Sequence, residues 1–147
     1  MPLYENAESM ANEVIMLDKI AKKWGWDYTR LPIEFRVEAV FQDPDLRFLT
    51  TAYAEVKRRY NPIGQYPLGY MIDREKIEHG LRYALADAVP FILWVWFDDG
   101  HKWLDVTKLS MGALTLGVGG RWDRGDPNDY DEVYYIPIEL FKKESER

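Results

Sequence analysis

Residues 91–97, Phe-Ile-Leu-Trp-Val-Trp-Phe, form the most apolar run in the chain, with no polar residue alternating through it. The run is too short for a membrane span and suits a strand covered on both faces. Such a strand demands a layer of structure on each side of its sheet, so the flanking sequence has to supply those layers. Upstream, Ala7, Met10, Ala11, Val14, Leu17, Ala21 and Trp24 recur at helical spacing across residues 5–24, and Gly25 is a stop signal. Asp73 is placed to cap a second helix over residues 74–88, with Ile77, Leu81, Ala84, Leu85 and Ala88 facing inward.

Between the two helices the periodicity changes. Residues 26–30 read as a short strand before Pro32, and residues 33–41 alternate apolar with mostly charged side chains as a half-buried strand. Gln42-Asp43-Pro44-Asp45 supplies turn chemistry, residues 47–58 return as the partner strand, and residues 59–72, rich in Tyr, Pro and Gly, read as a loop. Beyond the apolar run, Asp98-Asp99-Gly100 turns the chain into a strand near residues 102–106. A last short strand falls at 133–136, and Pro137 opens a charged C-terminal helix.

At 147 residues and 47% hydrophobic content the chain fits one domain with a substantial core. The expected architecture is α/β, a mixed sheet flanked by helices, with a core over about 5–97 and a β-rich C-terminal extension over about 98–147. With no cysteine and only His79 and His101, a thiolate site is excluded and a zinc site poorly supplied. Any metal is expected to sit among oxygens, which suits Mg²⁺ or Mn²⁺. The N-terminus lacks the basic and apolar regions of a signal peptide, and no apolar stretch is long enough to span a bilayer. The reading is an intracellular, soluble protein with no membrane partner. A net charge of -6 argues against non-specific coating of nucleic acid, while Lys57-Arg58-Arg59 remains a local basic patch.

That patch overlaps the most suggestive motif, Glu55-Val56-Lys57. Strand periodicity sends Glu55 and Lys57 to one face and Val56 to the other. A carboxylate and an ammonium displayed together suit phosphodiester hydrolysis: the acid can hold a divalent cation, and the lysine can steady water or neutralise phosphate charge. On the first helix, Glu13 falls inside the apolar sector beside Leu17, Ile20 and Trp24, so it faces inward. For a second strand acid, a tight turn at Pro44-Asp45 sets Glu34 opposite Glu55, whereas a longer or bulged loop brings Glu38 there. Asp45 itself lies near the hairpin tip, about 33 Å along an extended strand from Glu55.

A helix carrying an inward acid, two or three strands with Glu-x-Lys ending the last, a helix and then a buried strand: this order over about residues 5–97 resembles the PD-(D/E)xK nuclease superfamily. The likeness is greatest to small phage-type and resolvase-like members, and implies a restriction-endonuclease-like fold with an αβββαβ core. It implies a metal-dependent deoxyribonuclease in which Glu38 and Glu55 ligate Mg²⁺ or Mn²⁺, with the Val56 carbonyl as a further ligand. Lys57 would orient or activate water, and Glu13 would support the site. Glu38, in Val37-Glu38-Ala39-Val40-Phe41, fills the position before a hydrophobic run where the superfamily usually has Asp. The resemblance further implies DNA as partner, with Arg58, Arg59, Gln65 and Tyr70 contacting substrate, and allows a homodimer and a phage origin. Carboxylates gathered at one site would repel phosphate until a cation neutralises them. The alternative is a module that keeps this fold without catalysis.

Two C-terminal features stand apart. Gly117-Val118-Gly119-Gly120-Arg121, with Arg124, reads as a mobile glycine loop rather than a phosphate-binding nest. Residues 126–132 read as a solvated acidic loop, since they lack the glycine of a calcium-binding hand.

Overall fold

The computed structural model describes residues 7–120 and 130–147. Two helices, α1 (Ala7–Trp24) and α2 (Arg74–Asp87), accompany nine strands: β1 (Asp27–Arg30), β2 (Ala39–Asp43), β3 (Leu49–Arg58), β4 (Tyr70–Asp73), β5 (Phe91–Phe97), β6 (Gly100–Asp105), β7 (Thr115–Gly120), β8 (Tyr130–Ile136) and β9 (Lys142–Lys143). Six of them form a mixed sheet in the order β1-β2-β3-β5-β6-β9, in which only β3 and β5 run parallel. The remaining three form a small antiparallel sheet, β4-β8-β7. The parallel step from β3 to β5 needs a crossover, which α2 provides.

The apolar run explains the layering. On β5, Ile92 and Trp94 pack with Met16, Leu17 and Ile20 of α1 and with Ala39, Phe41, Ala52, Ala54 and Val56 of β2 and β3. Phe91, Leu93, Val95 and Phe97 point the other way, into a cluster with Ile77 and Ala84 of α2 and with Tyr70, Ile72 and Ile136 of the small sheet. Both faces of the strand are buried, which is why its sequence shows no alternation. Gly80 is part of this fit. A Cβ there would lie 2.2 Å from the ring of Phe91, which is fully buried and has no room to yield. Gly80→Ala is therefore expected to destabilise the protein by about 1–3 kcal/mol despite alanine's better helix propensity, read as a lower urea midpoint.

Several expectations about local structure need correction. Residues 33–41 do not make one strand: Ile33–Phe35 is a 3₁₀ turn, Arg36 takes a positive φ of 57°, and β2 begins only at Ala39. The extended backbone at Pro32 and the left-handed turn at Arg36 interrupt the alternation. Residues 59–72 are not all loop, because Tyr70–Asp73 is the edge strand β4. Leu85, expected on the inner face of α2, is 65% exposed, and Gly80 takes an inner position instead. Pro137 leads only into a 3₁₀ turn, Ile138–Leu140, before β9. The glycine run lies in β7 as far as Gly120, paired with β8. Arg121, Arg124 and positions 126–129 lie outside the described residues.

Candidate active site

The β2–β3 hairpin turns through a 3₁₀ turn at Pro44–Leu46, where the Asp43 side chain accepts a hydrogen bond from the Asp45 amide. Pro44-Asp45 thus belongs to the hairpin tip. A register shift between Phe41 and Gln42 resets the pairing, so that Ala39 faces Ala54. The pairing ends there, one residue short of Glu38, which lies just outside the start of β2 but close enough for its charge to act on Glu55. Glu34 sits on the exposed 3₁₀ turn and lines a separate surface depression with Asp73 and Glu75.

Glu13, Glu38, Glu55 and Lys57 all line one open cleft of about 420 Å³, together with Arg30, Arg36 and Lys76. A second cleft of about 390 Å³ lies on the other side of the β3 end and shares Glu13 and Lys57 with the first. These two side chains form the ridge between them. Among the described residues Glu55 is the one charged residue that is buried, 2% exposed. Burial pushes its carboxyl above the ordinary range, Lys76 and Lys57 pull it back down, and neighbouring Glu38 pushes it up again. Burial and the Lys76 charge hold the Lys57 ammonium below the ordinary lysine range, against the pull of Glu55.

Three cations of this cleft escaped the sequence reading. Arg30 ends β1 and bridges two acids, its Nη2 donating to Glu13 Oε2 and to Glu38 Oε1 at 2.7 Å each. Lys76, in the first turn of α2, reaches Glu55 Oε2 with its Nζ at 3.4 Å. Burial works against the Lys76 ammonium, but Glu55 and a hydrogen bond to Lys57 raise it overall. Arg36 lines the cleft and pairs with Glu75. Lys76 alone left a trace in the sequence: a lysine in a helix's first turn opposes the helix dipole and needs a compensating partner.

These pairings alter the expected electrostatics. The cleft is lined by three acids and four bases, so its carboxylates are already countered within the protein. Among the described residues no three His, Asp or Glu side chains converge as a metal cluster, because Glu13 and Glu38 are turned towards Arg30. Two carboxylates nonetheless fit a hard divalent cation, since Mg²⁺ is usually held by one or two carboxylates with water and phosphate completing its shell. Glu55 is almost wholly buried, and its direct ion pair with Lys76 is long, at 3.4 Å, which leaves its oxygens open to a stronger partner such as a cation. Val56 turns its side chain into the α1 core, leaving only its carbonyl as a donor.

The expected substrate contacts fare unevenly. Arg58 is sandwiched between Tyr60 and Trp96 at 4.3 and 4.6 Å. Its donors go to the carbonyls of Arg59 and Trp96 and to Asp98, which braces it in the lining of the second cleft. Arg59 lines that cleft, its guanidinium 5.6 Å from the Tyr70 ring. Tyr70 itself is fully buried on β4, its ring among Tyr66, Phe97 and Phe141, so it cannot touch a bound polymer. Gln65 is exposed in a 3₁₀ turn away from both clefts.

Fold and cleft together define a PD-(D/E)xK-type nuclease domain, and comparison with known proteins agrees. Residues 1–144 match the model of the family described as phage putative PDDEXK endonuclease, and the chain belongs to that family. Among solved structures it is similar in fold to Hjc of Archaeoglobus fulgidus, a Holliday junction resolvase, with a TM-score of 0.58 and 12% identity over 93% of this chain and 92% of that one. No curated protein matches the sequence. Among the described residues no helix is long and apolar enough to cross a membrane.

Proposed function

We propose that the protein is a divalent-cation-dependent deoxyribonuclease, acting within the cell a phage infects. The observation that carries this reading is that Glu38, Glu55 and Lys57 line one cleft with Glu13, and that Glu55 and Lys57 stand two residues apart on β3. Glu38 and Glu55 would hold Mg²⁺ or Mn²⁺, which when bound supplies Lewis-acid charge at the scissile phosphate.

The protein's own side chains account for the rest. Lys57, held below the ordinary lysine range, can take a proton from attacking water or donate to a phosphate oxygen. Arg30 keeps Glu13 and Glu38 oriented by binding both. Two clefts meeting at the Glu13–Lys57 ridge give a strand room on either side of the point of attack, with Arg59 on one side and Arg36 on the other. The near neutrality of the cleft supports a measurable affinity for DNA even before a cation binds.

The test is cleavage of a panel of labelled DNAs (single-stranded, linear duplex and four-way junction) by purified protein with Mg²⁺, Mn²⁺ or EDTA. Cleavage of at least one substrate with either ion, and none in EDTA, is expected. The four-way junction belongs in the panel because the fold is resolvase-like. Equal cleavage in EDTA would remove the cation dependence from the reading, and no cleavage with either ion on any substrate would leave a module of nuclease fold without catalysis.

A further inference from the structure

Lys76 is held where an ammonium is costly: in the first turn of α2, where the helix dipole is positive, and only 32% exposed. Glu55 and Asp73 favour its charge, and Lys57 lies within hydrogen-bond reach. Its direct contact with Glu55, at 3.4 Å, is longer than a charge-assisted hydrogen bond of usual strength. A partner held this loosely to a buried acid can be replaced by a stronger one. Lys76 also lines both the main cleft and the neighbouring depression with Arg36, so its ammonium has open space to swing into.

We propose that Lys76 is a resident counter-ion of Glu55, which an incoming divalent cation displaces and which then binds a non-bridging oxygen of the DNA phosphate. Resting on the nuclease reading, this assigns Lys76 a phosphate-binding role that lies outside the Glu-x-Lys motif. The exchange keeps the buried carboxylate countered at every stage, first by the ammonium and then by the metal. It also delivers a positive charge to the substrate only once the site is loaded. Lys76 therefore competes with the metal and cooperates with the DNA.

Those opposed roles make the test specific. Mn²⁺ binding is measured calorimetrically for the intact protein, Lys76→Met and Glu55→Gln, above neutral pH so that a proton on Glu55 does not replace the lost ammonium. DNA binding is measured by fluorescence anisotropy with Ca²⁺ in place of Mn²⁺. Lys76→Met is expected to bind Mn²⁺ about tenfold more tightly and DNA about tenfold more weakly, while Lys76→Arg restores both towards the parent values. A variant that merely loosened the fold would weaken both. Lys76→Gln carries the same expectations should Lys76→Met melt well below the parent. Unchanged or weaker Mn²⁺ binding in the charge-removing variant overturns the inference while the nuclease reading stands. Mn²⁺ binding that is absent from the parent, or unchanged in Glu55→Gln, overturns the metal site and the inference with it.

Discussion

Glu55→Gln is expected to abolish cleavage, by about 10³-fold or more, and at the same time to raise the melting temperature at neutral pH. The loss follows from removing the charge of the most buried acid in the cleft, on which Lys76 already converges and on which the charge of Glu38 acts. The gain follows from linkage. Burial raises the folded-state pKa of Glu55 above its ordinary value, so between those two values the folded protein holds a proton that the unfolded chain has released. Stability contributed by this group therefore falls as pH rises from the ordinary carboxylate range through the raised pKa. A neutral amide escapes that loss. Melting curves of both proteins across pH should diverge above the ordinary glutamate range and converge below it. A less stable Glu55→Gln at neutral pH would mean that the Lys76 contact outweighs the burial of the acid.

Lys57→Ala should be nearly as damaging to cleavage, by about 10²–10³-fold, and should leave the fold intact. Lys57 stands at the C-terminal end of β3 and fills no part of either apolar cluster. Its ammonium is disfavoured by burial and by Lys76, so the folded state binds fewer protons there than the unfolded chain does. Stability from this group rises with pH between its depressed pKa and the ordinary lysine value, and its removal relieves a cost at neutral pH. The variant should thus melt at or slightly above the parent temperature. The parent's cleavage rate should climb as Lys57 loses its proton and level off below the ordinary lysine range, a limb that Lys57→Ala lacks. A cleavage rate unaffected by the substitution would place the reaction elsewhere or assign it to a contaminant.

How much of this could be read without coordinates depends on the range of the interactions involved. The apolar run at Phe91–Phe97 was legible because burial on both faces writes itself into consecutive residues. The helices were legible from spacing, with α1 ending at Gly25, whose φ of +73° suits glycine, and α2 beginning after Asp73. Periodicity misled where a local turn overrode it. Ile33 and Phe35 alternate with charged neighbours as a strand's residues do, yet they are 77% and 41% exposed because the chain turns at Arg36. The choice between Glu34 and Glu38 hung on a single register shift at Phe41 and Gln42, which no pattern in the hairpin announces.

The acids of the cleft could be listed from the sequence, but not their counter-ions. Arg30 lies 17 residues from Glu13 and 8 from Glu38, and Lys76 lies 21 from Glu55. Such pairings exist only once the sheet and α2 have packed together. For the same reason Tyr70, read as a substrate contact, turns out to be a core residue, and Arg58, which lines the second cleft, is held there by stacking on Tyr60 and Trp96. Sequence position placed them beside the motif, whereas strand parity and the small sheet decided which way they point.

The central claim is that Glu38 and Glu55 form one divalent-cation site. Anomalous scattering from crystals grown with Mn²⁺ tests it directly, because the metal's position is seen without reference to any substrate. The account predicts one strong peak at about 2.0–2.3 Å from carboxylate oxygens of both residues, with Lys76 moved off Glu55, and no such peak in Glu55→Gln crystals. Mn²⁺ density elsewhere, or none at a saturating concentration with Lys76 still on Glu55, would contradict it.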